Sequence, residues 1–171
     1  MAHDVPSNET IPAVKSRVYI ESTIFSYLAA RPSRDPIVKA HQIITRQWWD
    51  TQREHFDFVI SEQVLREIEA GDRGAARRRS DLAAGLSVLD VNDEVMALAR
   101  RLLLKRIVPE AYIGDATHIA AAAVHGAAYL VTWNCRHIAN AELRTAIDTL
   151  CRDSGYSPCI ICTPEELIVD E

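Results

Sequence analysis

The sequence predicts a three-layer α/β/α domain with a mostly parallel central sheet. Short apolar runs rich in β-branched and aromatic residues alternate with longer segments of helical periodicity. Continuous apolar runs are typical of strands that helices cover on both faces of a parallel sheet. The chain has 171 residues, 48% of them hydrophobic and 25% charged, which is the composition of an ordinary globular domain. We expect a flexible tail over residues 1–16 and one domain over residues 17–171.

Five strands and seven helices are predicted, with one or two helices between successive strands. The strands are expected at residues 18–20, 56–60, 86–91, 129–133 and 159–162. The helices are expected at residues 22–31, 36–54, 62–70, 73–84, 93–106, 111–126 and 141–153. Asn92 is a plausible N-cap, and Gly126 and Gly155 follow long helices as C-cap glycines. The helix over 111–126 carries alanines at core-facing spacing, so it can lie close to a sheet.

The composition excludes several classes of protein. No apolar run approaches the ~20 residues that a membrane span needs, and residues 1–16 lack the apolar core of a signal peptide. We therefore expect a soluble cytoplasmic protein without membrane contact. The six glycines form neither a dinucleotide-binding nor a P-loop pattern, and no G-x-S-x-G motif is present. The net charge of 19 − 24 = −5 does not exclude a nucleic-acid substrate, because local basic patches can contact phosphates.

Four oxygen-bearing side chains stand where a parallel sheet places its ligands, outside the carboxyl ends of the strands. Glu21 and Asn134 directly follow predicted strands, Glu67 lies on the helix after the second strand, and Asp115 opens the alanine-rich helix. Such oxygens are ligands that Mg²⁺ and Mn²⁺ prefer, and these ions activate water for phosphodiester hydrolysis. Taken singly, each residue also has a structural explanation: a partner of a helix dipole, an N-cap or a solvated surface group.

Four segments resemble, in chain order, the motifs of the PIN-domain family. They are residues 19–28 (YIESTIFSYL), 64–68 (VLREI), 114–120 (GDATHIA) and 132–140 (TWNCRHIAN). Each motif is weak alone, but together they extend over about residues 17–168. The resemblance implies a Mg²⁺- or Mn²⁺-dependent endoribonuclease, a VapC-like toxin of a type II toxin–antitoxin system. It further implies an RNA substrate, a cognate antitoxin as partner and a homodimeric assembly.

The resemblance assigns catalysis to Glu21, Glu67, Asp115 and Asn134. Glu21 and Asp115 are expected to bind the metal directly, and Asn134 to act as a neutral ligand or to orient a water. Glu67 is expected to hold a water or to act as general base. The family usually has Asp at the first position and commonly at the fourth. Glu reaches about one bond further, and Asn removes one negative charge, so we interpret the pair as a variant active site.

Further polar residues are candidates for supporting roles. Ser22 and Thr132 are expected to hydrogen-bond the carboxylates or the scissile phosphate, although Ser22 also fits an N-cap. His118 lies three residues after Asp115, and we expect it to hydrogen-bond that carboxylate rather than to act in catalysis. His137 is likewise a less favoured acid–base group. Asn140 fits either a cap of the following helix or a role in the site.

Three other features have competing interpretations. Cys159 and Cys162 have C-x-x-C spacing, but we expect reduced, buried thiols in a strand rather than a metal or redox site. The basic run Arg73, Arg77, Arg78 and Arg79 is either a solvated helix face or a track for RNA phosphates or an acidic antitoxin segment. Trp48 and Trp49 lie about 100° apart on their helix, so both cannot face the same core equally. Partial burial in the core is favoured, and the alternative is that one of them is available for a dimer or partner contact.

Two alternatives to the ribonuclease remain open from the residues alone. One is a PIN-like protein with weakened catalysis that binds RNA or a protein partner through the same surface. The other is a nuclease that acts on DNA. Both keep the fold, because a fold does not determine the chemistry of the site grafted on it.

Overall fold

The computed structural model describes residues 14–169, so most of the predicted N-terminal tail, residues 1–13, lies outside the described part. Within it the strands are β1 (Arg17–Ile20), β2 (Asp57–Ser61), β3 (Ser87–Leu89), β4 (Tyr129–Val131) and β5 (Ile160–Cys162). The helices are α1 (Ser22–Ala29), α2 (Pro36–Gln52), α3 (Glu62–Ile68), α4 (Arg73–Ala83), α5 (Asp93–Leu104), α6 (Ile113–Val124) and α7 (Ala141–Asp153), with a 3-10 turn at Glu110–Tyr112. The predicted order of elements is confirmed.

The five strands form one sheet in the order β3-β2-β1-β4-β5, and every neighbouring pair is parallel. The chain builds outward from β1 to β3 and then returns to the other side of β1 with β4 and β5. The direction of strand order therefore reverses between β1 and β4, which is where open parallel sheets form their ligand crevice. The backbone N–H of Glu21 donates to the carbonyl of Val131 (3.1 Å), so the ends of β1 and β4 lie side by side.

Helices cover both faces of the sheet, as the predicted three-layer α/β/α class requires. α1 packs against α2, α3 and α4, while α5 packs against α6 and α7. Right-handed crossovers place the first group on one face and the second on the other. The alanine-rich helix α6 is almost wholly buried, and Ala120, Ala121 and Ala122 are each 0% exposed. No helix within residues 14–169 combines the length and apolar character needed to cross a bilayer.

The predicted caps are confirmed, and the predicted boundaries differ from the observed ones by a few residues. Asn92 accepts from the N–H of Val95, and Asn140 from the N–H of Glu142, so Asn140 caps α7. Gly126 and Gly155 adopt φ values of 68° and 86° just after α6 and α7, in the left-handed region that favours glycine. β3 is shorter than predicted, since it lies at the edge of the sheet and pairs only with β2.

Trp48 and Trp49 are both buried, as the favoured interpretation expected, and the alternative that one of them is available for a partner is wrong. Trp48 stacks on Phe58 of β2 with ring centroids 4.9 Å apart, and Trp49 packs edge-on against Phe25 of α1. The indole N–H of Trp48 donates to the carbonyl of Leu167 (2.7 Å). The segment after β5 therefore packs against α2. Both Trp48 and Trp49 are covered by neighbouring elements, although they point in different directions from the helix.

The cysteine prediction is confirmed in the described part of the chain. Cys159, Cys162 and Cys151 are buried and free, and Cys135 is exposed and free. Burial raises the pKa of the Cys159 and Cys162 thiols to about 12, because the thiolate is poorly solvated there. These residues contribute to the core as small apolar side chains.

Two of the four arginines in α4 stabilise the ends of neighbouring helices. Arg78 donates to the carbonyl of the last residue of α1 (3.1 Å), and Arg79 to that of the last residue of α3 (2.9 Å). Such side chains satisfy carbonyls that have no partner within their own helix. Arg73 and Arg77 are exposed. Arg78 and Arg79 thus stabilise the fold, while Arg73 and Arg77 lie on the solvated face of the helix.

The close packing of α6 predicts that its alanines tolerate no enlargement. Ala122→Leu should lower the free energy of unfolding by roughly 1–3 kcal/mol, because the added atoms force neighbours out of their rotamers. Urea unfolding followed by circular dichroism measures this. The matched control is Ala97→Leu on the exposed side of α5, expected within about 0.5 kcal/mol of the wild type. Equal effects of the two substitutions would contradict the packing described.

Candidate active site

The four predicted site residues come from four elements that meet at the carboxyl edge of the sheet. Glu21 directly follows β1 and is the N-cap residue of α1, and Asn134 lies in the loop after β4. Glu67 is in the last turn of α3, and Asp115 is in the first turn of α6. Because β1 and β4 are neighbours at the reversal of strand order, this is the edge at which open parallel sheets bind their ligands.

Glu21 is buried, with 3% of its surface exposed, and its carboxylate accepts three hydroxyl hydrogen bonds. Ser22 Oγ donates to Oε1 (2.7 Å), while Thr23 and Thr132 donate to Oε2 (2.5 and 2.6 Å). A buried carboxylate is costly unless it is hydrogen-bonded or paired, and charge-assisted hydroxyl bonds are short and strong. The hydroxyls of Ser22 and Thr132 thus contact a carboxylate, and Thr23, which the sequence analysis did not single out, does the same.

The two threonine hydroxyls also hold the loop after β4. Thr132 Oγ1 accepts from the backbone N–H of Asn134, and Thr23 Oγ1 accepts from that of Trp133, both at 2.9 Å. Each hydroxyl therefore donates to Glu21 and accepts from the loop. The position of the loop and the position of the Glu21 carboxylate are fixed by the same pair of groups.

His118 contacts Glu67 and Tyr19, and the expected hydrogen bond from His118 to Asp115 is wrong. Its Nε2 lies 2.9 Å from Glu67 Oε2 and 3.9 Å from Glu21 Oε1, and its Nδ1 lies 2.8 Å from the Tyr19 hydroxyl. His118 is fully buried, because it lies on the side of α6 that faces β1 and α3. Asp115 lies in the more exposed first turn of the same helix. The Tyr19 hydroxyl also hydrogen-bonds Ser61 Oγ (2.6 Å), which is the N-cap hydroxyl of α3.

Glu67 is held at both carboxylate oxygens. Its Oε1 accepts from Gln63 Nε2 (2.7 Å), one helical turn earlier in α3, while Oε2 faces His118. A Cβ at Gly114 would lie only 3.0 Å from Glu67 Oε1, so the glycine allows α6 to begin close to α3. The Gln-Glu spacing of four residues was the local signal for the first contact, and nothing in the sequence indicated the second.

The Glu67–His118 pair favours the charged form of both residues. Burial opposes the charge on Glu67, but the hydrogen bond and charge of His118 outweigh it and lower the pKa of Glu67 to about 2. Burial also opposes the charge on His118, but the hydrogen bond to Glu67 and the negative charges of Glu21, Glu67 and Asp115 raise its pKa above the ordinary value. A cationic imidazole beneath the carboxylates offsets part of their mutual repulsion.

Asp115 and Asn134 are joined through His137. Asp115 Oδ2 lies 2.9 Å from His137 Nδ1, and Asn134 Oδ1 accepts from the backbone N–H of His137 (3.1 Å). The ring of Tyr112 packs on His137 with centroids 3.9 Å apart. Hydrogen bonds therefore run from Asp115 through the loop after β4 to Thr132 and on to Glu21. The predicted residues are brought together by this network, and Glu67 is added through His118.

The donors at this edge fit a hard divalent cation. Among residues 14–169, one group of acidic and histidine side chains has its ligand atoms within 4.8 Å of one another: Glu21, Glu67 and His118. Two carboxylates with waters and a substrate phosphate are a common set for Mg²⁺. His118 Nε2 is engaged with Glu67, so the oxygens are the available donors. Asp115 and Asn134 lie beside this group, and their assignment as ligands stays a prediction.

Comparisons with known proteins place the fold. No protein-family model matches the sequence, and no curated protein matches it significantly. A chain of VapBC2 from Rickettsia felis, solved bound to a DNA fragment from their promoter, superposes with a TM-score of 0.54 at 13% identity, over 86% of this chain and 98% of that one. VapC20 from Mycobacterium tuberculosis, a sarcin–ricin loop cleaving toxin, gives 0.51 at 18% identity, over 66% and 86% of the two chains. The α/β fold is that of these VapC proteins, as the PIN-like prediction requires.

The Glu67–His118 pair predicts a defined pH dependence for the metal-free protein. Between pH 4.5 and about 2 the unfolded Glu67 binds a proton that the folded one does not, so stability falls on acidification. Above pH 6.5 the folded His118 keeps a proton that the unfolded one has lost, so stability falls as the pH rises. Urea unfolding in EDTA should show both losses in the wild type and a flatter profile in Glu67→Gln. The control Glu69→Gln changes an exposed acid next to α3 and should keep the wild-type dependence of unfolding free energy on pH. If Glu67→Gln also kept the wild-type dependence, the Glu67–His118 pair would not be its cause.

Proposed function

We propose that this protein is a divalent-metal-dependent endoribonuclease that hydrolyses RNA phosphodiester bonds, acting as the toxin of a type II toxin–antitoxin system. The observation that carries the proposal is the convergence of the Glu21 and Glu67 carboxylates, beside Asp115, at the strand-order reversal of a VapC-type fold. Carboxylates gathered at this edge serve no packing purpose, and their repulsion is offset only in part by His118. A site for a cation accounts for their arrangement.

The residues have distinct roles in this proposal. Glu21, Asp115 and Asn134 hold Mg²⁺ or Mn²⁺, and Glu67 positions a water or accepts its proton. When bound, the ion polarises the scissile phosphodiester and lowers the pKa of water at the site. Ser22, Thr23 and Thr132 orient the Glu21 carboxylate, and His118 orients that of Glu67, as outer partners of metal ligands commonly do.

The partners are proposed on the same basis. VapC20 is a sarcin–ricin loop cleaving toxin, which supports RNA as the substrate class. VapBC2 was solved with promoter DNA, which supports an antitoxin partner for the present chain. We further propose a homodimer that acts in the cytoplasm, where RNA and a co-expressed antitoxin are both present.

The central test compares wild type with Asp115→Asn on total RNA, with Mg²⁺ or Mn²⁺ and with EDTA. We expect discrete fragments from the wild type with metal only. The variant should cleave at least about 100-fold more slowly, because even outer partners of a metal contribute about 10- to 100-fold. Sequencing of fragment ends then gives the specificity.

The control for this test is Asp93→Asn, which changes an acid in the first turn of α5 and should cleave like the wild type. Metal-dependent cleavage of DNA but not of RNA would favour the DNA nuclease. RNA binding without cleavage by folded wild type would favour the binding module. Cleavage that survives in EDTA would contradict the metal-dependent mechanism.

Substitutions of Asn134 test whether its missing charge tunes metal affinity. Asn134→Asp keeps an oxygen for the N–H of His137 and adds a negative charge, so half-maximal cleavage should require less metal. Asn134→Ala removes that acceptor and should lower cleavage roughly 10- to 100-fold. Titrations of Mg²⁺ and Mn²⁺ against the cleavage rate measure both effects. A higher metal requirement in Asn134→Asp would count against a role near the ion.

A further inference from the structure

Beside the carboxylates lies a group of aromatic side chains that the proposed chemistry does not use. Trp133 stands in sequence between Thr132, which donates to Glu21, and Asn134. Its indole N–H donates to Thr45 Oγ1 of α2 (2.7 Å), and its backbone N–H donates to Thr23 Oγ1 (2.9 Å). Trp133 is therefore held by its ring to α2 and by its backbone to α1, the helix that begins beside Glu21.

Two further rings complete an aromatic cluster, which we define as Tyr27, His41 and Trp133. His41 and Trp133 stack in parallel, with centroids 4.0 Å apart and planes 15° apart. Tyr27 approaches each of them with centroids 5.9 Å apart. All three side chains are half-buried, whereas Trp48 and Trp49 lie inside the core. The cluster thus presents aromatic surface to solvent at the margin of the site.

The aromatic cluster continues into a groove between α1 and α2. The groove begins at Tyr27 and is lined among others by Pro32, Ile43, Lys39 and Arg46. Its charged residues are these two cations and one acid, Asp50, so the groove is positive in a chain of net charge −5. Local positive charge against an acidic background marks a surface for an anionic ligand.

We propose that the aromatic cluster and this groove bind single-stranded RNA next to the scissile phosphate, with one nucleobase stacked on the cluster and the following phosphates near Lys39 and Arg46. This inference rests on the proposed ribonuclease function and adds a binding subsite for its substrate. Stacking on aromatic side chains together with a basic groove is the usual way in which proteins hold single strands. Tyr27 and His41 are here substrate-binding residues, and they fix where a nucleobase lies relative to the cleaved bond.

An RNA occupant accounts for both halves of the surface. A nucleobase is a flat ring that matches the parallel His41–Trp133 stack, and a phosphate matches the exposed ammonium of Lys39. The covalent link from Trp133 to the residues on either side places the stack at a fixed distance from Glu21. A peptide partner could use the cations but has no regular need for the ring stack, so it serves as the competing outcome.

The test measures binding separately from cleavage. A labelled single-stranded RNA of about twelve nucleotides is titrated with protein in EDTA, and anisotropy gives Kd. Tyr27→Ala and His41→Ala should each bind at least about fivefold more weakly than the wild type, the lower limit for loss of one stacked base. His41→Phe keeps an aromatic ring and should bind within about threefold of the wild type, which separates stacking from misfolding. Leu104→Ala, exposed on α5, is the surface control.

Tryptophan fluorescence supplies a second readout in the same titration. Trp48 and Trp49 are buried, so quenching by RNA reports on Trp133. Quenching should accompany binding of the RNA and be absent with an abasic strand of equal length. Under cleavage conditions, Tyr27→Ala and His41→Ala should raise KM with little change in kcat.

The outcomes distinguish this inference from the ribonuclease proposal. Wild-type cleavage with unchanged RNA affinity in Tyr27→Ala and His41→Ala overturns the inference and leaves the nuclease standing. Aromatic-dependent binding without cleavage in metal supports the inference and overturns the nuclease. No binding of RNA by folded wild type overturns the inference, as does a loss, in the two variants, of affinity for an acidic peptide but not for RNA.

Discussion

The site depends on a single buried charge, the carboxylate of Glu21 at the point where strand order reverses. An isolated carboxylate in this position would be strongly destabilising, and three hydroxyl donors remove that cost. The donors come from the start of α1 and from the end of β4. The carboxylate therefore keeps all three hydrogen bonds only while the two central strands keep their register and α1 keeps its first turn. The carboxylate that the proposed chemistry needs is also the group that ties these elements together.

The second carboxylate is supported by a different principle. Glu67 faces a buried imidazole rather than hydroxyls, and His118 is connected through Tyr19 to the N-cap of the helix that carries Glu67. Opposite charge lowers the energy of the ionised carboxylate, and the closed chain of bonds limits its rotation. Gly114 leaves room for this arrangement, because a Cβ there would lie 3.0 Å from Glu67 Oε1 and 3.1 Å from Gln63 Nε2 and would displace these side chains. The two carboxylates thus lie at the same edge of the sheet but are held by different groups. Hydroxyls hold Glu21, and the side chains of Gln63 and His118 hold Glu67.

Much of the fold could be predicted, because each element carries its own local signal. Periodicity, Asn92 and Gly126 indicated the helices and their ends, and acids and an amide at strand ends indicated which edge of the sheet holds the candidate site. The partner of His118 could not be predicted from spacing, since Tyr19 and Glu67 lie 99 and 51 residues away in the chain. The burial of both Trp48 and Trp49 depends on the last segment of the chain folding back over α2, which no local pattern of α2 contains. Long-range contacts decided every prediction that failed.

The shared hydroxyls around Glu21 have a consequence for how such a site evolves. The PIN-domain family, which this sequence resembles, usually has the shorter Asp at the corresponding position, and one substitution, Glu21→Asp, would introduce it here. In this chain a shorter side chain would withdraw from Thr23 and Thr132, leaving buried hydroxyls that also hold the loop after β4. The exchange becomes acceptable only when those threonines change with it. Glu21 and its two threonines are therefore structurally coupled, and a substitution at any one of the three positions is expected to require changes at the other two.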